Sequence, residues 1–335
     1  MVHLRVYMVD TMTTTISFCN QVNNAVLDES ANAGFLYELI TNNEEMSSLA
    51  VAASRHLHGE EENELQSAAL WALGIMMVAD SAAIRQAAYA VARDNPLAAA
   101  CEALAGDNAD LASSAAYFMA GFVRHGTSDE LTSMANGLRL HGGRWCDKKA
   151  VFEHLRDSMY RFGMEKPTQA PLPVALALFN AAPYESDCLL LAKAIGNIAA
   201  NTSQAVVTQK VEAMVFLEKA ADRLRFTRTP LFAKELCWAL SNLACDGLWA
   251  DWIHESPMYR ALLYSYPEHS KQENLIALAN VVISASLEAQ LQMRNDRLLR
   301  SILQSYRGRP NLEVAQAVAL LAAADEDSDF DYESE

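Results

Sequence analysis

Helix-breaking residues are scarce in this chain of 335 residues, which contains 13 glycines and 9 prolines. Both counts are below average usage, so long helices joined by short connections are the first expectation. Hydrophobic residues make up 51% of the chain, which is enough to bury a large core and excludes global disorder. The length permits either two or three ordinary domains or one elongated repeat array.

Positive charge is also scarce, because 26 Lys and Arg residues stand against 42 Asp and Glu residues, for a formal net charge of −16. Nucleic-acid binding needs clustered positive potential, so DNA and RNA are excluded as the main ligands. The same argument excludes anionic membrane surfaces and leaves basic protein segments as partners. The longest apolar run, 68–79, has twelve residues, which is too short to span a bilayer.

The signatures of common enzymes and metal sites are absent from the sequence. It has no C-x-x-C, G-x-x-x-x-G-K-[ST], G-x-G-x-x-G or H-E-x-x-H motif. His56 and His58 would diverge by about 200° on a helix, and nothing local would activate Cys146 beside His154. We therefore predict no catalytic residue, no metal, no cofactor and no small-molecule substrate. The six cysteines lie mostly in apolar runs, which favours buried thiols and a reducing cytoplasmic or nuclear compartment.

One segment recurs along the chain, at 67–78, 113–126, 189–202, 234–247 and 272–283. Aligning these segments places five residues in one column: Ile75, Gly121, Asn197, Asn242 and Asn280. The column spacings are 46, 76, 45 and 38 residues, and the doubled spacing implies a divergent unit or a large insertion. A period of about 40–46 residues in a helical chain predicts an armadillo or HEAT solenoid with two or three helices per unit.

The recurring helix has one apolar stripe. At about 100° per residue, three leucines fall within about 60° of one another: Leu236, Leu240 and Leu243. The preceding unit repeats the stripe with Leu191, Ile195 and Ile198, and the following unit keeps Leu278 and Val281. These positions are the predicted core.

A second stripe lies roughly 140° from the first. Its members in the best-preserved unit are Glu235, Trp238 and Asn242. The neighbouring units carry Lys193 with Asn197, and Glu273 and Ile276 with Asn280. Stacking of the units would line the asparagines up as a ladder along one surface. Alternatively, each asparagine bonds only a neighbouring turn.

The segments CWALSNLACDG and AKAIGNIAANT closely resemble the third helices of armadillo repeats in importin-α-type karyopherins. The resemblance covers residues 185–285 well and residues 60–325 loosely. It implies an all-α, right-handed armadillo-type solenoid whose third helices face a concave groove. In that family a Trp and an Asn four residues later hold an extended basic peptide. The matching pairs here are Trp238 with Asn242, Lys193 with Asn197, Ile276 with Asn280, Trp71 with Ile75, and Tyr117 with Gly121.

The sequence departs from that family at several positions. Only the Trp238/Asn242 pair is intact, and Lys193 places a positive charge where the family receives a basic side chain. Residues 1–50 contain one basic residue other than histidine, Arg5, whereas the family's importin-β-binding arm is strongly basic. The predicted peptide-binding set in this remodelled groove is Trp71, Tyr117, Asn197, Glu235, Trp238, Asn242, Glu273 and Asn280.

Three classes of function follow from these patterns. The first is a non-catalytic adaptor that holds an extended, basic segment of a partner protein, in one form an importin-α-like adaptor in nuclear transport. The second is a scaffold subunit that uses its convex or end surfaces and has a vestigial groove. The third, an enzyme within the irregular stretch 127–169, has no convergent catalytic set to support it.

The expected organisation has three parts. Residues 1–59 form N-terminal capping helices, and residues 60–324 form the array, with an insertion or divergent repeat at about 127–169. Residues 325–335 carry seven acidic residues and no basic one, so we predict a disordered tail. This tail could fold back onto a basic surface, act as a decoy, accept phosphate at Ser328, or only aid solubility.

Two arginine groups and two tryptophans complete the sequence-based expectations. The arginines, Arg223, Arg225 and Arg228 in one group and Arg294, Arg297 and Arg300 in the other, are predicted to be solvated or paired with acidic residues. Alternatively, they form a docking patch for an acidic partner. Trp249 and Trp252 are expected to pack into the core of the following unit, although an exposed tryptophan there would be an interface anchor.

Overall fold

The computed structural model describes residues 16–29, 32–54, 60–92, 95–125, 134–135, 137–138, 149–165, 172–201, 210–265, 271–305 and 311–322. Within these residues the regular structure is α-helix, and none of them lies in a strand. In chain order the helices are α1 (16–27), α2 (Ala33–Thr41), α3 (Asn43–Ala53), α4 (Glu60–Val78), α5 (Ala82–Ala92), α6 (Asn95–Ala105), α7 (Ala109–His125), α8 (Lys149–Glu165), α9 (Leu172–Ala181), α10 (Glu185–Asn201), α11 (Lys210–Phe226), α12 (Pro230–Leu243), α13 (Gly247–Glu255), α14 (Pro257–Ser265), α15 (Lys271–Ser284), α16 (Leu287–Arg294), α17 (Arg297–Ser305) and α18 (Leu312–Ala322).

The starts of several helices are set by local side chains. Asn42 accepts hydrogen bonds from the backbone amides of Glu44 and Glu45 at 3.1 and 3.3 Å and caps α3. Asp246 caps α13 in the same way, and Ser286 caps α16. Each cap satisfies amides that have no partner inside the helix, which allows a new helix to begin directly after a short turn.

The chain forms two compact units. One contains Met1–Phe162 and Gln169–Pro183, and the other contains Gly163–Thr168 and Tyr184–Glu335. In the first unit α4 packs along α7, the third helix after it. In the second unit α12 packs on α15 and α15 on α18. Each of these partners is again three helices further along the chain, whereas α10 and α12, which also pack together, are two described helices apart. The repeating element thus contains two or three described helices.

The predicted apolar stripe is buried in the three helices that carry the recurring asparagines, α10, α12 and α15, which are called the ladder helices. Leu236 and Leu240 are fully buried and Leu243 is 3% exposed. The equivalent residues in the neighbouring units are also fully buried: Leu191, Ile195, Ile198, Leu278 and Val281. Trp249 is 3% exposed and its ring meets Phe216 edge-on at 6.2 Å. The predicted burial is thus found for Trp249, but the ring that it meets belongs to α11, which precedes it in the chain, and Trp252 is half-buried.

Several sequence predictions concern residues outside the described part of the chain. These are the acidic tail 325–335, His56 and His58, and Cys146. Residues 127–133, 136, 139–148 and 166–169 of the irregular stretch also lie outside it. The described part of that stretch includes α8.

Candidate peptide-binding surface

The three ladder asparagines make the same kind of hydrogen bond from α10, α12 and α15 of the second unit. Asn197 Nδ2 donates to the Gly163 carbonyl oxygen at 2.6 Å, and Asn242 Nδ2 donates to that of Gly196 at 3.0 Å. Asn280 Nδ2 donates to the Ser241 carbonyl oxygen at 2.9 Å. Each side chain is thereby fixed to the backbone of the preceding ladder helix, not to a turn of its own helix.

These bonds define the register of the ladder. The accepting residue lies directly before the preceding ladder position, as Gly196 precedes Asn197 and Ser241 precedes Asn242. By the same register Gly163 places Met164 of α8 in the ladder. The doubled spacing of 76 residues between Gly121 and Asn197 then divides into 43 residues before Met164 and 33 residues after it. Sequence comparison missed Met164 because α8 keeps the glycine and an aromatic residue, Tyr160, but has methionine in place of the asparagine.

The Trp238 ring packs closely against Gly196 of the preceding ladder helix. A β-carbon added to Gly196 would overlap the Cε3 and Cζ3 atoms of the Trp238 ring and would lie 3.2 Å from Ala239 Cα. The first unit repeats this contact, since a β-carbon at Gly74 would lie 2.8 Å from Tyr117 Cδ1. Glycine before the ladder position therefore makes room for the aromatic side chain of the next helix.

The first unit carries a stack of aromatic rings at the predicted Trp71 and Tyr117 positions. Their centroids are 4.3 Å apart with an interplanar angle of 24°. The Tyr117 ring also stacks on His154 at 5.4 Å, a contact that the sequence did not indicate. Ile75 is 6% exposed and Gly121 is buried, so this surface has rings but no ladder amide.

The charges beside the second-unit ladder are only partly compensated. Glu273 Oε1 lies 3.6 Å from Lys234 Nζ, so the negative charge predicted to attract a basic ligand is shared with a lysine. In the described part of the chain, Glu235 and Lys193 form no ion pair. Negative potential therefore remains beside Trp238, and positive potential remains beside Asn197.

The described residues hold little that could perform chemistry. They contain no group of three or more His, Cys, Asp or Glu side chains placed to hold a metal ion. Burial raises the pKa of the Cys19 and Cys101 thiols to about 12 and that of Cys188 to about 11. These thiols remain protonated near neutral pH and are weak nucleophiles. Among the described helices, none combines the length and the apolar character needed to cross a membrane.

Comparison with known proteins yields likeness in structure only. Neither a protein-family model nor a curated protein matches the chain. The crystal structure of an engineered protein shares 15% identity over 90% of this chain and 73% of its own, with a TM-score of 0.50. A designed armadillo repeat protein in complex with the peptide (KR)4 shares 15% identity over 84% of this chain and 99% of its own, with a TM-score of 0.41. A chain from a structure of the interaction between cadherin and β-catenin shares 15% identity over 90% of this chain and 68% of its own, also with a TM-score of 0.41.

The fold is an all-α, armadillo-type solenoid. The packing of successive ladder helices within each unit carries this assignment, and the engineered protein adds likeness of fold alone. The fold class predicted from the repeated segments is confirmed.

Proposed function

We propose that the chain is a non-catalytic adaptor that binds an extended, basic segment of a partner protein on the ladder surface. The ladder surface is defined here by six residues of the second unit: Asn197, Glu235, Trp238, Asn242, Glu273 and Asn280. The observation that carries the proposal is the repeated anchoring of the asparagine amides next to a half-buried tryptophan.

The anchoring hydrogen bonds leave an acceptor on each asparagine. Since Nδ2 donates to the preceding helix, the Oδ1 atom is the group that remains for a backbone N–H of a bound peptide. Each such bond contributes about 0.5–1.5 kcal/mol net. A fixed side chain also loses little rotamer freedom on binding, which favours recognition of an extended backbone.

The side chains around Trp238 favour a basic ligand. A Lys or Arg lying over the indole ring would gain about 0.5–2 kcal/mol from a cation–π interaction. Glu235 adds a negative charge that no described cation neutralises. Lys193 repels cations at the α10 end, so the expected ligand is shorter than a nuclear localisation signal with two basic clusters.

An importin-α-like role in nuclear transport is one specific form of this function. It would place the protein in the cytoplasm, the nucleus or both. The sequence similarity of the α10 and α12 segments supports it, whereas the single Arg5 among the basic residues of 1–50 gives no counterpart of the importin-β-binding arm.

A scaffold function is the second candidate, and the exposed side chains of α11 favour it. Phe226 is 81% exposed, Val211 is 59% exposed and Val215 is 41% exposed. Large apolar side chains on an outer helix are typical of interfaces with other subunits. In that case the outer helices hold the partner and the ladder surface has a purely structural role.

Titration of short basic peptides tests the adaptor against the scaffold. The double variant Trp238→Ala, Asn242→Ala should lose about 1–3.5 kcal/mol of binding free energy, or between about fivefold and a few hundredfold in affinity. An acidic peptide of the same length should bind neither protein. Leu248→Ala, at a side chain that is 57% exposed on α13, is the control and should bind as wild type does.

Thermal unfolding of every variant must accompany this titration, because Asn242 also links two helices. A folded double variant that binds basic peptides and cellular partners as tightly as wild type would remove the adaptor function. The scaffold function would then take its place.

Reversing the charge of Lys193 should improve binding of a longer basic peptide. Lys193→Glu replaces repulsion by attraction at the α10 end, and an exposed ion pair is worth about 0.2–1 kcal/mol. The affinity for a peptide with two basic clusters should rise by up to about fivefold at low salt. A gain that persists at high salt, or no gain, would show that the peptide does not reach α10.

A further inference from the structure

A second surface of the second unit carries a cavity of about 790 Å³. It lies where α13 is joined to α14 and α16 is joined to α17. Its lining includes Arg260 and Arg297, together with the apolar side chains of Met293 and Leu298. None of the ladder-surface residues lines it.

The acidic groups of the cavity already have partners. Asp296 Oδ2 accepts from the Tyr259 hydroxyl at 3.2 Å and lies 3.4 Å from Arg260 Nη1. Its Oδ1 accepts from the backbone amides of Leu298 and Leu299. The second acid, Glu255, is paired with the ammonium group of Lys210 at 2.5 Å.

The arginines of the cavity have fewer ion-pair partners than its acidic residues. The Arg260 side chain is 57% exposed and shares one donor nitrogen with Asp296. Arg297 is exposed and has no ion-pair partner among the residues that the structure describes. Arg225 Nη2 donates to the Pro257 carbonyl oxygen at 3.4 Å, which brings a third guanidinium to the rim. His254 adds no charge near neutral pH, because burial lowers its pKa. Arg297, with Arg225 at the rim, therefore leaves positive charge at the cavity that no described carboxylate neutralises, in a strongly acidic chain.

The described chain ends close to this cavity. Leu321 and Ala322, the last residues of α18, line a small cleft with Arg300 and Leu303 of α17. Arg300 is one turn from Arg297, an axial rise of about 4.5 Å. The thirteen residues 323–335 follow, and an extended segment of that length spans about 40 Å. Residues 325–335 can therefore reach the cavity of their own chain.

We propose that the acidic segment 325–335 occupies the arginine-lined cavity of the same chain. Its carboxylates pair with Arg260 and Arg297, and Phe330 or Tyr332 lies on the Leu298 side chain, which is 37% exposed. An acidic segment of another protein could bind there only by displacing it.

A labelled peptide with the sequence of residues 325–335 tests this contact with two forms of the full chain. One form is unchanged, and in the other the seven acidic residues of the segment are replaced by Asn or Gln. The peptide should bind the neutralised form at least about tenfold more tightly, since its site is vacant, and added salt should weaken binding.

Reversing the charge of the cavity arginines tests whether the peptide binds in the cavity. In the neutralised form, Arg260→Glu with Arg297→Glu should abolish peptide binding. The single change Arg297→Glu should weaken it, and it is tolerated by the fold because an acidic side chain is favourable in the first turn of α17. Arg161→Glu, at an exposed arginine of α8, is the matched control and should leave binding unchanged.

Four results would overturn the proposal. Equal peptide binding by both forms would mean that the cavity is open to acidic segments of other proteins. No binding by either form would mean that it takes no acidic segment. An equal loss with Arg161→Glu would indicate attraction by net charge alone. If the unchanged form bound the peptide as tightly as the neutralised form once both were diluted, the segment would occupy the cavity of a second copy of the chain.

Discussion

Replacing Leu240 with alanine is expected to lower the free energy of unfolding by about 2–5 kcal/mol. Leu240 is fully buried in α12, which packs against both α10 and α15. Removing its side chain takes away buried apolar surface and leaves a cavity that three helices cannot easily close. Urea titration followed by tryptophan fluorescence measures this, because Trp238, Trp249 and Trp252 all lie in the second unit.

Leu248→Ala is the control for this loss. Leu248 is 57% exposed, and a surface truncation of this kind usually changes stability by less than about 0.5 kcal/mol. Should Leu240→Ala cost less than about 1 kcal/mol, the assignment of the stripe to the core would be wrong. Since the chain has two units, the transition of the second unit must be fitted separately.

The core was predictable from the sequence because a helix fixes which residues share a face. Leu236, Leu240 and Leu243 follow from a period of 3.6 residues alone, and all three are buried. Helix α5 was not singled out, because its buried face is formed by one isoleucine and two alanines, Ile84, Ala88 and Ala92.

Contacts between helices were less predictable, because they depend on how one face meets another. The second stripe indicated that the asparagines form a ladder, but not that each donates to the backbone before the preceding ladder position. The pairing of Glu273 with Lys234 joins residues 39 positions apart. The stacking of Tyr117 on His154 joins two units of the repeat whose sequences do not align.

The proposed function gives the asparagine ladder two roles that use different atoms of one side chain. The Nδ2 group of Asn242 joins α12 to α10, and the Oδ1 atom is the part proposed to bind a peptide. A loss of binding on mutation of Asn242 is informative only when the free energy of unfolding is measured too. The glycine beneath Trp238 offers a way to disturb the binding surface without removing any polar group.

Gly196→Ala is expected to destabilise the second unit although alanine is the better helix former. The added β-carbon would overlap the Trp238 ring and lie 3.2 Å from Ala239 Cα. Both helices are held by buried side chains, so relief requires the ring or the helix to shift. Overpacking of this kind costs about 1–3 kcal/mol, which exceeds or offsets the gain of about 1 kcal/mol from helix propensity. Tryptophan emission should shift, and affinity for a basic peptide should fall, because the ring loses its support.

Gly34→Ala provides the matched control for this change. Gly34 lies in α2, and a β-carbon there would meet no atom within 4 Å. The substitution should therefore stabilise the chain by up to about 1 kcal/mol through helix propensity alone. Urea titration of both variants gives the comparison, and the two changes in stability should differ by about 1–3 kcal/mol. If Gly196→Ala stabilises the chain as much as Gly34→Ala does, then Trp238 does not rest on Gly196, and the ladder surface is not built as described.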